Sequence, residues 1–446
     1  MVGHISHSLL SLEHLEYLDL SWNKLVIGSS GCIPVFLGSL NNIKYLNLSG
    51  IPFSGEVPSH LGNLSNLQYL DLSYTGVTYS RDVSWIMHLH FLQYLNLGQV
   101  NLSTITDWPH VSTSLYGPFS SALQEMTSLK FLAISQPYDS KPASKMMTSL
   151  RNLCNLEILY IQYSNLLKQS ITEILESLPN CSSNKLRELD LSANNISGQL
   201  PNRMRHLTSL ERLDLSDNKI SGVLPNWMGQ LTSLELLDLS ENKISGALLK
   251  WLGKLLRLEV LELSRNKISG SLPKWLGKLT RLEYLRLSSN DISGVLPNQM
   301  EKLTSLTDLY VDSNNITGPV PSFIGQLTSL EYLDLSYNHL TGWVPSEIGM
   351  LSNLRELYLN NNGLHGVITE EHFAGLKSLR WLEMGSNSLS IVTTSDWQPP
   401  FLLRNAGLAS CQMGPQFPSW LKWMVDIGYL NISNTGINDR LPHWFM

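Results

Sequence analysis

The sequence predicts an α/β repeat solenoid, a curved and superhelical coil with a parallel inner sheet. A pattern of the form LxxLxLSxNxISGxLP recurs from Leu186 onward at a period of 24 residues, and a fixed period of this size indicates a repeat architecture. Leucine supplies 85 of the 446 residues. A chain of this length would ordinarily form two or three domains, but a repeat array grows by adding units to one continuous core. We therefore predict a single array over residues 1–446.

About 17 repeats fill the chain, in three regions of different regularity. We predict N-terminal repeats over residues 1–97, irregular repeats over 98–185 and regular 24-residue repeats over 186–446. The spacing varies in the irregular region, so the loops that leave the strands there must be longer. The repeats begin at Leu15, Ile43, Leu67, Leu92, Leu129, Leu156, Leu186, Leu210, Leu234, Leu258, Leu282, Leu306, Leu330, Leu354, Leu379, Leu403 and Ile427.

Each repeat is predicted to contain a short strand, an internal asparagine and a turn. The alternation at Leu213 and Leu215 places apolar side chains on one face of a strand. Asn218 ends that strand, and a buried amide can donate to and accept from neighbouring repeats. Gly222 permits a sharp turn, and Pro225 suits a segment outside the main sheet. The predicted ladder contains Asn194, Asn218, Asn242, Asn266, Asn290, Asn314, Asn338, Asn362 and Asn387, with Thr75, Cys411 and Thr435 in the same slot.

Composition and motifs exclude several classes of function. A formal net charge of −6 removes the broad basic surface that nucleic-acid binding needs. No apolar run is long enough to span a membrane, and the first dozen residues lack the features of a secretory signal. The sequence contains no GxSxG, HExxH, phosphate-loop or kinase signature and no paired CxxC spacing. We predict no catalytic residues, no cofactor and no metal.

The repeat is that of the leucine-rich repeat family, whose outline explains every position above. The form Ser-Gly-x-Leu/Val-Pro, as in Ser221–Pro225 and Ser269–Pro273, resembles the plant extracellular type. Local motifs resemble one subgroup, the plant receptor-like proteins of immunity and development. These motifs are Ser8–Leu12 before Leu15–Ser21, Asn101–Ser103 with Asp107–Trp108, Cys154–Leu156, Leu178–Cys181, Trp397–Phe401, Ser410–Leu421 and Leu441–Phe445.

This resemblance implies a type I plasma-membrane protein, with the present chain on the extracellular side. Family members have a signal peptide and a transmembrane helix, neither of which we find in this sequence, and they signal through partner receptor kinases. Because the chain opens and stops within repeats, we expect a fragment, a truncated gene model or a shortened product. Uncapped terminal repeats would leave apolar ends exposed.

We predict a non-enzymatic ligand-recognition ectodomain in plant defence. It would bind a peptide, protein or glycan on its concave face and signal with a co-receptor leucine-rich repeat kinase. Three alternatives stay open: the ectodomain of a leucine-rich repeat receptor kinase, a soluble protein like the polygalacturonase inhibitors, and a nonfunctional remnant.

The third, fifth, seventh and eighth positions of LxxLxLxxN should line the concave face. The fifth is acidic and the seventh is serine in many repeats, so we assign both to the scaffold. The third and eighth positions vary and include the aromatic and arginine side chains that binding hot spots favour. The alternative for the third-position tyrosines is cross-strand pairing without any ligand. The predicted ligand-binding residues are Tyr163, Asp217, Glu241, Arg265, Tyr284, Arg286, Tyr332 and Tyr337.

Two covalent modifications are also predicted. Cys154 and Cys181 bracket one irregular repeat and are candidates for a disulfide, whereas Cys411 should be a buried thiol. Asn-x-Ser/Thr sequons mark candidate glycosylation sites. Asn195 and Asn315 should be exposed, and a glycan at Asn47 or Asn431 would obstruct the concave face. The sequons lie at Asn47, Asn63, Asn101, Asn180, Asn195, Asn315 and Asn431.

Overall fold

A computed structural model describes residues 5–25, 31–75, 84–100, 126–135, 150–164, 170–176, 178, 181 and 184–445. The chain forms two compact units, Met1–Ser221 and Gly222–Met446. Each unit contains a main sheet of short parallel strands, one strand per repeat. The structure thus confirms the repeat solenoid with a parallel sheet.

The main sheet of the first unit pairs each strand with the next repeat in register, so that Tyr17 lies beside Tyr45 and Tyr45 beside Tyr69. The strands grow longer in the irregular region, where five residues of each strand are paired. The described strands of this sheet are Tyr17–Asp19, Tyr45–Asn47, Tyr69–Asp71, Tyr94–Gly98, Phe131–Ser135, Ile158–Gln162, Glu188–Asp190 and Arg212–Asp214.

The main sheet of the second unit follows the same rule, with Tyr284 beside Asp308 and Asp308 beside Tyr332. Because the register advances by one whole repeat, each repeat position forms a straight column across the sheet. Its described strands are Leu236–Asp238, Val260–Glu262, Tyr284–Arg286, Asp308–Tyr310, Tyr332–Asp334, Glu356–Tyr358, Trp381–Glu383, Asn405–Gly407 and Tyr429–Asn431.

A second set of parallel strands follows the ladder asparagine in the regular repeats. Its glycines adopt left-handed φ angles, as in Gly294 at 79°, and a Cβ there would lie 3.1 Å from the Ser271 Cβ. Glycine is therefore required at this turn. In the first unit Ser197–Gly198 pairs with the start of Lys219–Val223. In the second unit the strands are Lys243–Gly246, Lys267–Ser271, Asp291–Gly294, Asn315–Gly318, His339–Gly342, Gly363–Ile368 and Ser388–Ile391.

Short 3₁₀ helices, usually of five residues, complete the repeats on the side of the core opposite the main sheet. The preceding proline commonly takes the N-cap position, as Pro273 does. The irregular region contains the α-helix Ile171–Glu176. The 3₁₀ helices are His7–Ser11, Val35–Ser39, Ser59–Asn63, Ser84–His88, Asn202–His206, Asn226–Gln230, Lys250–Lys254, Lys274–Lys278, Asn298–Lys302, Ser322–Gln326, Ser346–Met350, Glu370–Phe373, Ser419–Trp423 and His443–Phe445.

Leucines at the first, fourth and sixth positions of each repeat form the core. Leu210, Leu213 and Leu215 are completely buried. The tryptophans that follow the proline pack on the next coil as expected at Trp227, Trp251 and Trp420, which are buried, whereas Trp444 is 43% exposed. Burial of this many leucines is the main stabilising term, since each contributes about 1.5–3 kcal/mol relative to an exposed side chain.

The asparagine ladder is confirmed. Asn266 Nδ2 donates to the carbonyls of Leu239 (2.9 Å) and Leu263 (3.1 Å), and its Oδ1 accepts from the Ile244 N–H at 2.9 Å. One amide therefore satisfies backbone groups of two repeats. In the same slot Cys411 is completely buried, and burial raises the pKa of its thiol to about 12, which confirms the buried thiol.

Candidate functional site

The exposed side of each main sheet, which we call the strand face, begins from a repeated turn. Asp214 Oδ1 accepts the backbone N–H of Ser216 at 2.9 Å and its hydroxyl at 2.6 Å. Both bonds recur at Asp71, Asp190, Asp238 and Asp334 with their serines. These bonds account for the recurring acidic residue and serine as parts of the scaffold.

The eighth position of nearly every described repeat has a left-handed backbone. The φ angles are 50° at Tyr163, 49° at Asp217, 51° at Glu241, 55° at Arg265 and 50° at Tyr337. For a non-glycine residue this conformation costs roughly 1–2 kcal/mol. Tyr163 is 47% exposed and Tyr337 58% exposed, so these rings offset none of that cost by burial.

Third-position aromatics of the first unit form a tyrosine ladder of Tyr17, Tyr45, Tyr69, Tyr94 and Phe131. Successive rings stack in parallel with centroids 4.0 Å apart. Because each inner ring spends both faces on its neighbours, the ladder supports the cross-strand alternative rather than a stacking surface for a ligand.

Two predicted ligand-binding residues of the first unit share one cleft. Tyr163 and Asp217 line a cleft of about 230 Å³ together with Asn195 and Lys219. Asn195 is half-buried there, so a glycan on Asn195 and a ligand beside Tyr163 would compete for the same space.

Glu241 and Arg265 of the second unit form an exposed ion pair, with 3.4 Å between Glu241 Oε1 and Arg265 Nη1. Their side chains are 50% and 69% exposed. Pairs of this kind contribute little to stability, and both groups stay accessible to a ligand.

Arg286 lies at the centre of a more buried cluster. Its Nη2 donates to Asp308 Oδ1 at 2.7 Å, and its Nε lies 3.9 Å from Glu262 Oε2. The guanidinium also lies 5.5 Å from the Tyr284 ring centre and 5.4 Å from that of Tyr310. Burial opposes its charge, but the hydrogen bond and charge of Asp308 raise the pKa of Arg286 above its usual value. Arg286 Nε is buried without a hydrogen-bond partner among the described residues.

Carboxylates and tyrosines alternate across the strands that follow. Asp334 lies in register between Tyr310 and Tyr358, and burial raises the pKa of Asp334 to about 6. Tyr358 donates its hydroxyl to Glu356 Oε2 at 2.8 Å, and burial raises the pKa of both tyrosines. We define the acidic-aromatic patch as Asp308, Tyr310, Asp334, Glu356 and Tyr358.

The neighbouring strand places the predicted residue Tyr332 between Asp308 and Glu356. Within the part of the chain that the structure describes, Tyr332 makes no ring contact with another aromatic side chain. Its ring therefore differs in setting from those of the tyrosine ladder.

Sequence reasoning missed Tyr310, Glu356 and Tyr358. The available signal was a break in the scaffold pattern. The fifth and seventh positions change from Asp and Ser to Tyr310 and Asp312, and again to Tyr358 and Asn360. Asn360 Oδ1 is buried and has no partner in the described structure.

Second-position charges were missed as well. Glu16 pairs with Lys44 at 2.8 Å, Glu211 with Arg187 at 2.6 Å and Glu331 with Arg355 at 3.0 Å. They form a further column of ion pairs beside the strand face.

The candidate modification sites differ in accessibility. Asn63 and Asn315 are exposed, whereas Asn431 is half-buried. Asn47 is 9% exposed, and its Oδ1 accepts both the N–H and the hydroxyl of Ser49, which leaves no room for a glycan in this arrangement. Asn101 and Asn180 lie outside the described residues. Cys154 and Cys181 are joined by a disulfide, with Cα atoms 5.7 Å apart.

Comparison with known proteins agrees with the repeat geometry. The leucine-rich repeat region family matches residues 2–197 and 234–439. The chain belongs to the leucine-rich repeat family. A further leucine-rich repeat family matches residues 184–244 of this leucine-rich repeat protein.

The leucine-rich repeat protein is similar to plant receptor-like proteins and receptor ectodomains, which confirms the resemblance in its motifs. Receptor-like protein EIX2 of Solanum lycopersicum is 49% identical over 80 residues, or 18% of this chain and 8% of that protein. The chain thus matches a small part of this relative's length.

Two solved structures share the fold of the leucine-rich repeat protein. The plant peptide hormone receptor RGFR1 in complex with RGF2 has a TM-score of 0.69 and 26% identity, covering 97% of this chain and 73% of that one. The Arabidopsis receptor kinase HAESA with the peptide hormone IDA and the co-receptor SERK1 has a TM-score of 0.50 and 29% identity, with coverages of 87% and 73%.

Neither a membrane-spanning helix nor a metal-binding group appears among the described residues of the leucine-rich repeat protein. None of the described helices is long and apolar enough to cross a bilayer. No group of three or more His, Cys, Asp or Glu side chains there has the arrangement of a metal site.

Proposed function

We propose that the leucine-rich repeat protein is a non-enzymatic recognition ectodomain of a plant cell-surface receptor-like protein. Its acidic-aromatic patch binds a peptide, or a segment of a protein, that carries a basic side chain. The bound state then engages a partner receptor kinase on the extracellular side of the plasma membrane, in defence signalling.

The observation that carries this proposal is the loss of the scaffold turn within the patch. Elsewhere the fifth-position acid and the seventh-position serine hold the turn with two hydrogen bonds. Tyr310 and Tyr358 replace that acid and give up those bonds. A sequence that repeats the turn so regularly gains nothing for folding from this exchange, whereas aromatic side chains between carboxylates make a binding surface.

The charge of the patch favours a cationic partner. Asp308, Asp334 and Glu356 contribute three carboxylates, and Asp312 lies close enough to raise the pKa of Asp334 through its charge. Arg286 is already bonded to Asp308, so a surplus of negative charge remains. A lysine or arginine between Tyr310 and Tyr358 would gain both ion pairing and a cation–π contact.

Relatives and structural neighbours support a receptor role. EIX2 is named as a receptor-like protein, and RGFR1 and HAESA are receptors solved with peptide hormones. HAESA also assembles with a co-receptor in that structure, which is the precedent for a partner kinase here.

The test is selection of a random 12-residue peptide library on the secreted protein, followed by titration of the best binder. We expect enrichment of Lys or Arg. Replacing Glu356→Gln together with Asp308→Asn should weaken that peptide about tenfold or more, as loss of charged hydrogen bonds does. Glu235→Gln with Glu259→Gln, which removes the same charge elsewhere on the strand face, is the matched control. Selected peptides without basic residues, or equal losses in both variants, would refute the proposed site.

The signalling step needs a separate measurement. The SERK1 ectodomain, titrated against the leucine-rich repeat protein with and without the selected peptide, should bind more tightly when the peptide is present. Binding that ignores the peptide would contradict peptide-dependent pairing with this kinase.

A further inference from the structure

Charges are segregated between two sides of the second unit, over residues 235–302. Acidic side chains lie on or beside the strand face, while the basic ones lie on three consecutive 3₁₀ helices and the turns that follow them. The acidic set is Glu235, Asp238, Glu241, Glu259, Glu262 and Glu283. The basic set, which we call the basic ridge, is Lys250, Lys254, Arg257, Lys274, Lys278, Arg281 and Lys302.

The basic ridge is exposed and carries no ion pair. All seven side chains are exposed, and none lies within 4.0 Å of a carboxylate oxygen of a described residue. Glu301, which is half-buried, is the one acidic residue in the three helices. Elsewhere in this unit, arginines find carboxylates, as Arg265 and Arg355 do. Seven unpaired cations therefore raise the local potential in a chain whose net charge is negative.

Close helix packing fixes the spacing of these cations. A Cβ on Gly253 would lie 3.1 Å from the Trp275 Cβ, and one on Gly277 would lie 2.1 Å from the Gln299 carbonyl oxygen. Successive helices thus meet at glycine, with Trp251 buried between them. Lys254, Lys278 and Lys302 each end a helix, so they form a regular row with one cation per repeat.

We propose that the basic ridge binds a linear acidic polysaccharide through the carboxylates of its sugar residues. A row with one cation per repeat suits a thin polymer with regularly repeated single charges, laid across the helices. A bilayer would need apolar anchors, and Leu256 is the large apolar side chain exposed beside the ridge. A wide polyanion such as duplex DNA would be opposed by the acidic side of the same repeats. The leucine core separates the ridge from the strand face, so this site is independent of the peptide site.

The experiment measures binding of polygalacturonate to the immobilised full chain. Wild type should bind with an affinity that falls steeply as salt rises, because each contact releases a counterion. Lys254→Gln with Lys278→Gln should weaken binding about tenfold, given roughly 1 kcal/mol per surface lysine against an anionic array, and should flatten the salt dependence. Lys24→Gln with Lys377→Gln, two exposed lysines outside the ridge, should leave binding unchanged at the same net charge.

Three further probes distinguish the ligand chemistry. Fully methyl-esterified polygalacturonate, which keeps the sugar chain and removes the charge, should not bind. Phosphatidylserine vesicles and duplex DNA should bind at least tenfold more weakly than polygalacturonate. The proposal is overturned if the ester binds equally well, if either other polyanion matches polygalacturonate, or if both lysine pairs have the same effect. Because all four lysines are exposed, unchanged thermal unfolding is expected for every variant and checks that each one is folded.

Discussion

At the fifth position of a repeat, Asp and Asn make the same two hydrogen bonds. Asp334 Oδ1 accepts the N–H and hydroxyl of Ser336, and Asn431 Oδ1 accepts the N–H and hydroxyl of Ser433. The turn therefore does not need the charge. Where the acid is half-buried, as at Asp334, that charge carries a desolvation penalty.

Replacing Asp334→Asn should therefore stabilise the protein in a pH-dependent way. The folded pKa of Asp334, about 6, lies above the unfolded value, so the folded state holds its proton more tightly and loses stability as pH rises from about 4 through 6. The variant lacks this loss. We expect its free energy of unfolding to exceed that of wild type by about 1–2 kcal/mol at pH 7.5, and by nothing at pH 4.

Urea unfolding at both pH values measures this difference. Asp238→Asn, at the same column with the same serine bonds but no raised pKa, is the control. A gain that persisted unchanged at pH 4 would show that the buried charge is not its cause.

At the scale of an element, neighbouring strands decide what a third-position tyrosine does. Tyr69 lies between the rings of Tyr45 and Tyr94. Tyr332 occupies the same column of its own sheet between two carboxylate residues. The residue type is identical, but one ring is used by the scaffold and the other is not.

Truncation should separate the two roles. Tyr69→Ala removes two stacked pairs, each worth about 0.5–1.5 kcal/mol beyond area burial, whereas Tyr332→Ala removes none. We expect the first variant to lose about 1–3 kcal/mol more in free energy of unfolding than the second. Denaturant titration of the two variants side by side provides the measurement, and equal losses would mean that stacking adds nothing to the ladder.

Much of each element could be predicted because it depends on local pattern. The strands, the asparagine ladder and the glycine turns follow from spacing within 24 residues, and Asn266 and Gly294 show the expected geometry. The scaffold role of the fifth-position acid was also predictable, since it recurs. The acidic-aromatic patch was not, because Tyr310 and Tyr358 gain meaning only when the register places Asp334 between them. The basic ridge escaped for the same reason: its lysines are scattered along the sequence and become a row only after the helices pack.

At the scale of the whole molecule, each repeat touches mainly its neighbours, so stability is a sum of local terms. The first unit adds one covalent term, the disulfide between Cys154 and Cys181, which are 27 residues apart. It ties the irregular repeat that begins at Leu156 to the segment after the helix Ile171–Glu176. A crosslink over this length typically stabilises by about 2–4 kcal/mol.

Removing the disulfide should therefore loosen one region rather than the whole chain. In the variant Cys154→Ser with Cys181→Ser, we expect amide hydrogen exchange to accelerate at Ile158–Gln162 and Ile171–Glu176 and to stay unchanged at the strand Tyr17–Asp19. Exchange followed by mass spectrometry resolves these segments. Uniform acceleration across the first unit would show that its repeats unfold as one cooperative block.

The one-to-one register of the main sheets has a consequence for how such a surface can change. Removing 24 residues between equivalent points, for instance from Leu258 to Arg281, would bring the strand Tyr284–Arg286 beside Leu236–Asp238 with every column still aligned. Backbone pairing, the asparagine ladder and the buried leucines would all be retained, while Tyr284 would acquire Leu236 as its neighbour in place of Val260. Gain or loss of whole repeats therefore creates new combinations of surface side chains without new folding requirements, whereas an insertion of a single residue within a strand would shift every column beyond it.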